Sequence, residues 1–155
     1  MNWIFPVLML TAVACKPTYI PGTRIEETKE NRAILDVVGA YKLAVETRNI
    51  EGVVALCSPK YYEDNGNADP ADDYGYSDLR TRVLPDTFLR LAEVRLDLEV
   101  KDIQVNNHHA WADLRYVYQA KMALPSGDKW HADTELNRIE LEEDEDGKWK
   151  IVRGL

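Results

Sequence analysis

Cysteine is nearly absent from this chain, with only Cys15 and Cys57 in 155 residues. No disulfide framework can form inside the folded part without Cys15. Cys57 ends the apolar run Val53-Val54-Ala55-Leu56 and reads as a small buried hydrophobe, because a reactive thiolate needs exposure and a nearby base. Positive charge is also scarce: 19 Lys and Arg stand against 27 Asp and Glu, for a net charge of -8. This excludes nucleic acid as a partner and electrostatic attraction to anionic headgroups, both of which need clustered Lys and Arg. Histidine occurs three times. The pair His108-His109, with Asp113 on the same strand face as His109, has too few further ligands to hold a metal. The acidic stretch Asp64-Asn65-Gly66-Asn67-Ala68-Asp69 lacks the alternating spacing of a calcium loop, and its twelfth position is Gly75, so it reads as a solvated loop. No metal and no cofactor is expected. No apolar run reaches the roughly 20 residues of a membrane-spanning helix.

What is present begins with an address. Met1 to Ala14 is uncharged, with Trp3, Ile4, Phe5, Val7, Leu8, Met9 and Leu10 at its centre, and it runs into Ala12-Val13-Ala14-Cys15. An apolar core followed by small residues is the construction of an export signal. Small residues before a cysteine resemble the lipobox of bacterial lipoproteins, which implies acylation of Cys15 and cleavage just before it. Lys16, not Asp, follows the cysteine, which in that resemblance implies sorting to the outer membrane. Ala12-Val13-Ala14 is equally an A-x-A site for the ordinary signal peptidase, which would release a soluble protein beginning at Cys15. The expected organisation is a signal peptide over 1–14, a lipidated cysteine and tether over 15–22, and one folded domain over 23–155. The expected location is the bacterial cell envelope, with the lipid bilayer as a partner through acylated Cys15.

Within the domain, Ile34, Val37, Val38, Tyr41, Ala44 and Val45 recur at three-and-four spacing and predict a long amphipathic helix. Asn49 predicts the cap of a short second helix through Cys57. Ser77 reads as the cap of a third helical stretch to about Val94, interrupted at Pro85. The pattern then turns to period two. Leu96, Leu98 and Val100 share a face, and the phase slips so that Ile103 and Val105 continue it, as a bulge near Lys101-Asp102 would produce. Asn106-Asn107 reads as a turn. Ala110, Ala112, Leu114, Tyr116, Tyr118, Ala120 and Met122 form one face of the next strand. Trp130 to Glu142 returns antiparallel, and Trp149-Lys-Ile-Val closes the meander after a hairpin at Asp144–Gly147.

Helices followed by a bent antiparallel meander that ends on Gly147-Lys148-Trp149-Lys150-Ile151-Val152 resemble the nuclear transport factor 2-like superfamily, over roughly residues 32–155. The resemblance implies an α+β fold in which N-terminal helices pack in a strongly curved antiparallel sheet, a cone-shaped α+β barrel that leaves a pocket. It implies no single activity, since ketosteroid isomerases, dehydratases and non-catalytic binding domains share the cone. No stretch reproduces a catalytic set of the superfamily residue by residue, and Arg153 stands where many members place a histidine.

Parity supplies the candidate pocket. If Ile139 and Leu141 face the core, His131, Asp133, Glu135 and Asn137 share their face, and Arg153 shares the face of Trp149 and Ile151. With Tyr41, Tyr116 and Tyr118 these make a candidate set of acid, base and hydrogen-bond donors. A bulge between Leu136 and Ile139 would instead put the carboxylates in water, and Arg153 could serve as the ion-pair partner of Glu135 or Asp133. Three functions are compatible with this pattern: a lipoprotein whose cone binds a small molecule or protein without turnover, a small lyase or isomerase, and a scaffolding homodimer through the outer sheet face with Trp111 and Val117.

Overall fold

Thr28 opens the first helix. Its hydroxyl accepts the Asn31 N–H at 3.0 Å, and α1 runs Lys29–Glu46 in the computed structural model, which describes residues 16–155. The expected signal peptide and Cys15 lie outside the described residues. The expected stripe is the buried one: Ile34, Val38 and Ala44 are sealed, and Val37, Tyr41 and Val45 pack half-buried beside them. Asn49 caps α2 (Ile50–Leu56) as expected, its side chain accepting the Gly52 N–H at 2.9 Å. Cys57 follows, buried, with its thiol pushed up to about 12 by burial. That thiol is inert at neutral pH.

Ahead of α1, Thr18 to Glu27 folds back on itself, with the Ile20 N–H bonded to the Ile25 carbonyl at 2.9 Å and both isoleucines in the core. Packing therefore begins inside the stretch read as a tether, because Ile20 is apolar enough to be drawn under the sheet.

The third helical stretch differs from expectation in both ends. It starts after Gly75, so Ser77 lies inside it, and it comprises α3 (Tyr76–Asp78), a π-helical turn (Leu79–Val83) and α4 (Leu84–Leu89). Pro85 accounts for the wide turn: it has no N–H to give Thr81, and its ring would crowd that carbonyl in a regular α-helix. The helix stops at Leu89 because Val94 belongs with Leu96 and Leu98 in an alternating strand, not with the helix.

Strands β3 (Leu91–Asn106), β4 (His109–Met122), β5 (Lys129–Glu143) and β6 (Trp149–Arg153) form one antiparallel sheet in chain order. The bulge at Val100–Asp102 is where the phase slip put it, and a second lies at Leu91–Glu93. The β3–β4 turn falls one residue later than expected, on Asn107-His108, since Asn106 pairs with His109 and Asn107 takes the left-handed conformation that asparagine tolerates. A small ladder, β1 (Tyr62–Glu63) with β2 (Tyr74–Gly75), pins the ends of the acidic loop.

Helix α1 packs on β3 and reaches β6, so the sheet wraps it. It also covers the edge of β3: the Leu96 N–H donates to Glu46 Oε1 at 2.9 Å, and Lys42 donates to the Leu96 carbonyl. An open edge is thereby protected from pairing with another chain. Ile34, Val53, Leu79, Leu114, Ile139, Leu141 and Ile151 are fully buried, each worth about 1.5–3 kcal/mol of burial. This is the α+β cone expected, with its closed end at Ile34, Leu114 and Ile151. Among the described residues no helix is long and apolar enough to cross a membrane.

Candidate functional site

The uninterrupted β4–β5 register decides the parity. Leu114 pairs with Asn137, Tyr116 with Glu135, Tyr118 with Asp133 and Ala120 with His131, with no shift along the whole ladder. His131, Asp133, Glu135 and Asn137 thus share the concave face with Ile139 and Leu141, and the alternative of a bulge between Leu136 and Ile139 is not realised.

At the wide end of the cone these residues meet a cavity of about 610 Å³, within the size range of small-molecule sites. Tyr41 and Val45 of α1 line it, as do Leu91, Val94 and Leu96 of β3, Tyr116, Tyr118, Ala120 and Met122 of β4, and His131, Glu135 and Asn137 of β5. Asp133 does not: it is exposed and accepts the Thr134 N–H at 2.7 Å. Tyr118 and His131 approach as tilted rings 5.9 Å apart. Most of this face is apolar, and its polar groups come from the three tyrosines and the β5 side chains.

Tyr116 is the unusual member. It is 5% exposed, and its hydroxyl is buried with no hydrogen-bond partner among the described residues. Burial first, then the neighbouring Tyr41 hydroxyl and the Glu135 carboxylate, push its ionisation far above the ordinary tyrosine value. The Asn137 amide lies close enough to pull weakly the other way but meets no hydrogen-bond geometry. It is committed elsewhere, donating to the Gly154 carbonyl at 3.1 Å. Tyr41 is raised for the same leading reason, burial. Both phenols are therefore donors at any physiological pH, not bases.

Besides Asp133, two more of the expected pocket residues are elsewhere. Trp149 faces inward but lies at the closed end, 6% exposed, within the core. Arg153 does not share its face. Between Glu140 and Leu141 the β5–β6 register slips by one residue on β6, so Arg153 pairs with Glu140 instead of continuing the Trp149–Ile151 alternation. Its guanidinium binds Asp64 and stands 4.0 Å from Glu63, leaving Glu135 and Asp133 without it.

That displaced end becomes a strap at the cavity base. The Gly154 N–H donates to Glu63 at 2.8 Å, the Leu155 N–H to the Tyr61 hydroxyl at 3.3 Å, and the Tyr74 hydroxyl to the Leu155 carbonyl at 3.1 Å. Leu155 consequently lines the cavity. Glycine is required at 154, where φ is +95° and a Cβ would overlap the Arg138 carbonyl.

Sequence reasoning missed the other side of the mouth. Arg82, Val83, Asp86, Thr87 and Arg90 of the third helical stretch line it opposite β5. The only signal for them was the alternation beginning at Val94, which shortens the helix and turns its last residues toward the strand start. Of the candidates for metal chemistry, Asp113 is held by Arg138 at 2.6 and 2.9 Å, and His108 meets Glu143 at 2.9 Å.

No family model and no curated relative matches the chain. Solved structures do. A nuclear transport factor 2-like superfamily protein from Salmonella enterica serovar Typhimurium superposes with a TM-score of 0.66 at 15% identity, over 79% of this chain and 86% of that one. A ketosteroid isomerase-like protein from Erwinia carotovora gives 0.63 at 18% identity, over 83% and 95%. A conserved protein from Planctomyces limnophilus gives 0.65 at 13%, over 81% and 92%. At these identities the likeness establishes the nuclear transport factor 2-like cone fold and nothing about chemistry.

Proposed function

We propose that this protein is a cell-envelope lipoprotein whose cone binds a small, largely apolar molecule carrying a hydrogen-bond acceptor, without turning it over. The observation that carries the reading is the Tyr116 hydroxyl: a buried donor with no partner among the described residues, on a residue that lines an open cavity of about 610 Å³. A buried unpaired hydroxyl costs free energy that folding alone does not recover, and a ligand carbonyl or ether oxygen would satisfy it once the side chains that seal the hydroxyl from the cavity move aside. A purely scaffolding cone would be filled, and this one is open. The envelope address rests on the Met1–Cys15 pattern.

The test is a fluorimetric titration with 6-propionyl-2-(dimethylamino)naphthalene, a neutral ketone whose emission shifts blue in apolar surroundings. Saturable binding at 1:1 that Leu96→Trp, which fills the cavity, abolishes supports the reading; absence of saturable binding refutes it. Labelling of the chain by palmitate in cells, lost on Cys15→Ser, checks the anchor; labelling that survives the substitution, or no labelling at all, refutes it.

A second reading, acid–base turnover of the same class of molecule, is favoured by one observation. Glu135 faces Tyr116 across the strand register and has no ion-pair partner among the described residues, leaving a carboxylate base beside a phenol donor. Proton exchange at carbon next to the ketone in deuterium oxide, catalysed by the protein and lost in Glu135→Gln, would establish it; background-rate exchange would dismiss it.

A further inference from the structure

The two lips of the cavity differ in charge. Along β5 the lip carries His131 and Glu135, with Asp133 beside them; along the helices it carries Arg82, Asp86 and Arg90. Arginine in this molecule is mostly paired: Arg32, Arg80, Arg95, Arg115, Arg138 and Arg153 each lie within 4.0 Å of a carboxylate. Arg82 and Arg90 are exceptions at the cavity, with no carboxylate within that distance among the described residues, although Asp86 lies four residues from each along the helix. One carboxylate against two guanidinium groups leaves this lip cationic in a chain of net charge -8.

We infer that the cone takes an apolar organic acid, whose hydrophobic body lies against Leu91, Val94, Leu96 and Met122 and whose carboxylate meets Arg82 and Arg90 at the helical lip. The inference rests on the binding reading above and specifies its ligand. Planar guanidinium matches carboxylate in a two-point geometry, and a carboxylate placed there is held away from Glu135 and Asp133 on the opposite lip. An amide of the same shape would keep the apolar contacts and lose the charge. Because both arginines stand in solvent, their effect is graded: about 3- to 20-fold in affinity, shrinking as salt screens it.

The experiment uses the full chain and displacement of 6-propionyl-2-(dimethylamino)naphthalene by three isosteric competitors: biphenyl-4-carboxylate, biphenyl-4-carboxamide and 4-phenylbenzylammonium. The expected result is that the carboxylate binds about 3- to 20-fold tighter than the amide at low salt. That preference should be lost in the Arg82→Gln/Arg90→Gln double variant, with the amide unaffected. A carboxylate no tighter than the amide, a preference that survives the double substitution, or an ammonium ion that binds best would each overturn the inference and leave the binding reading intact. Failure of the ketone itself to bind would overturn both. Thermal unfolding of the double variant at the wild-type midpoint confirms that a lost preference is local, and Arg82→Lys with Arg90→Lys, which keeps charge but not the fork, should retain part of it.

Discussion

Replacing Tyr116 by phenylalanine should move stability and binding in opposite directions. The hydroxyl is buried without a partner, and leaving such a group unsatisfied costs about 1–3 kcal/mol. Phenylalanine keeps the ring and its place in the buried core cluster. The weak pull of the Asn137 amide discounts the lower half of that range little, so we expect the ligand-free variant to gain about 1 kcal/mol, or about 2–4 °C in unfolding midpoint for a domain of this size. Binding should change the other way. A neutral hydrogen bond from the phenol to a ligand oxygen is worth about 0.5–1.5 kcal/mol net, so the naphthyl ketone should weaken about 2- to 12-fold.

The control is 2-(dimethylamino)naphthalene, which lacks the carbonyl and should bind wild type and variant alike. Urea unfolding and fluorimetric titration on the same samples measure both signs. A variant that loses stability while binding the ketone with unchanged affinity would refute the reasoning, because the hydroxyl would then be a satisfied structural group. A gain in stability joined to weaker ketone binding would show a residue whose native strain is kept for a ligand.

Gly154→Ala should lower the unfolding midpoint by more than about 2 kcal/mol equivalent, since a side chain at φ +95° is strained and its Cβ meets the Arg138 carbonyl; an unchanged midpoint in denaturant would contradict it. Asn49→Ala should cost about 1 kcal/mol by removing the cap on Gly52, read in the same unfolding assay. The Glu46 carboxyl is held below its ordinary 4.5 by the Lys42 ammonium and then by the Leu96 N–H. A depressed folded-state value means that its stabilisation is complete above pH 4.5 and is lost as the pH falls through the lower value. The stability gap between wild type and Glu46→Gln should therefore be constant from about pH 7 to 5 and shrink as the pH falls below 4.5; a gap that does not shrink on acidification would mean that the side chain acts through packing.

Much of the cone was legible because its signals are local and periodic. The α1 stripe is a spacing of apolar residues, the Asn49 cap is one side chain answering one N–H, and the bulge near Lys101 is a visible break in alternation between Val100 and Ile103. The alternation of β5 holds for the same reason: nothing interrupts the β4–β5 ladder. The β6 error shows the limit of that method. A single unpaired residue at Val152 moves Arg153 to the other side, and Val152 itself is apolar and gives no sign of it. What fixes the slip is tertiary: Glu63 and Asp64 hold the strand end from a different segment.

Depth was the second thing parity could not give. Trp149, Leu114 and Tyr118 all face inward, yet Trp149 and Leu114 are core while Tyr118 lines the cavity. The difference is how far α1 extends along the concave face. Its buried residues Ile34 and Val38 close the end that holds Leu114 and Ile151, whereas Tyr41 and Val45, later in the same helix, are only half-buried and border open space. The π turn before Pro85 lies in the segment that supplies Arg82 to the mouth. The strand side of the mouth is thus written in alternation, and the helical side, with the charges that would select a ligand, follows from one proline and the turn it forces.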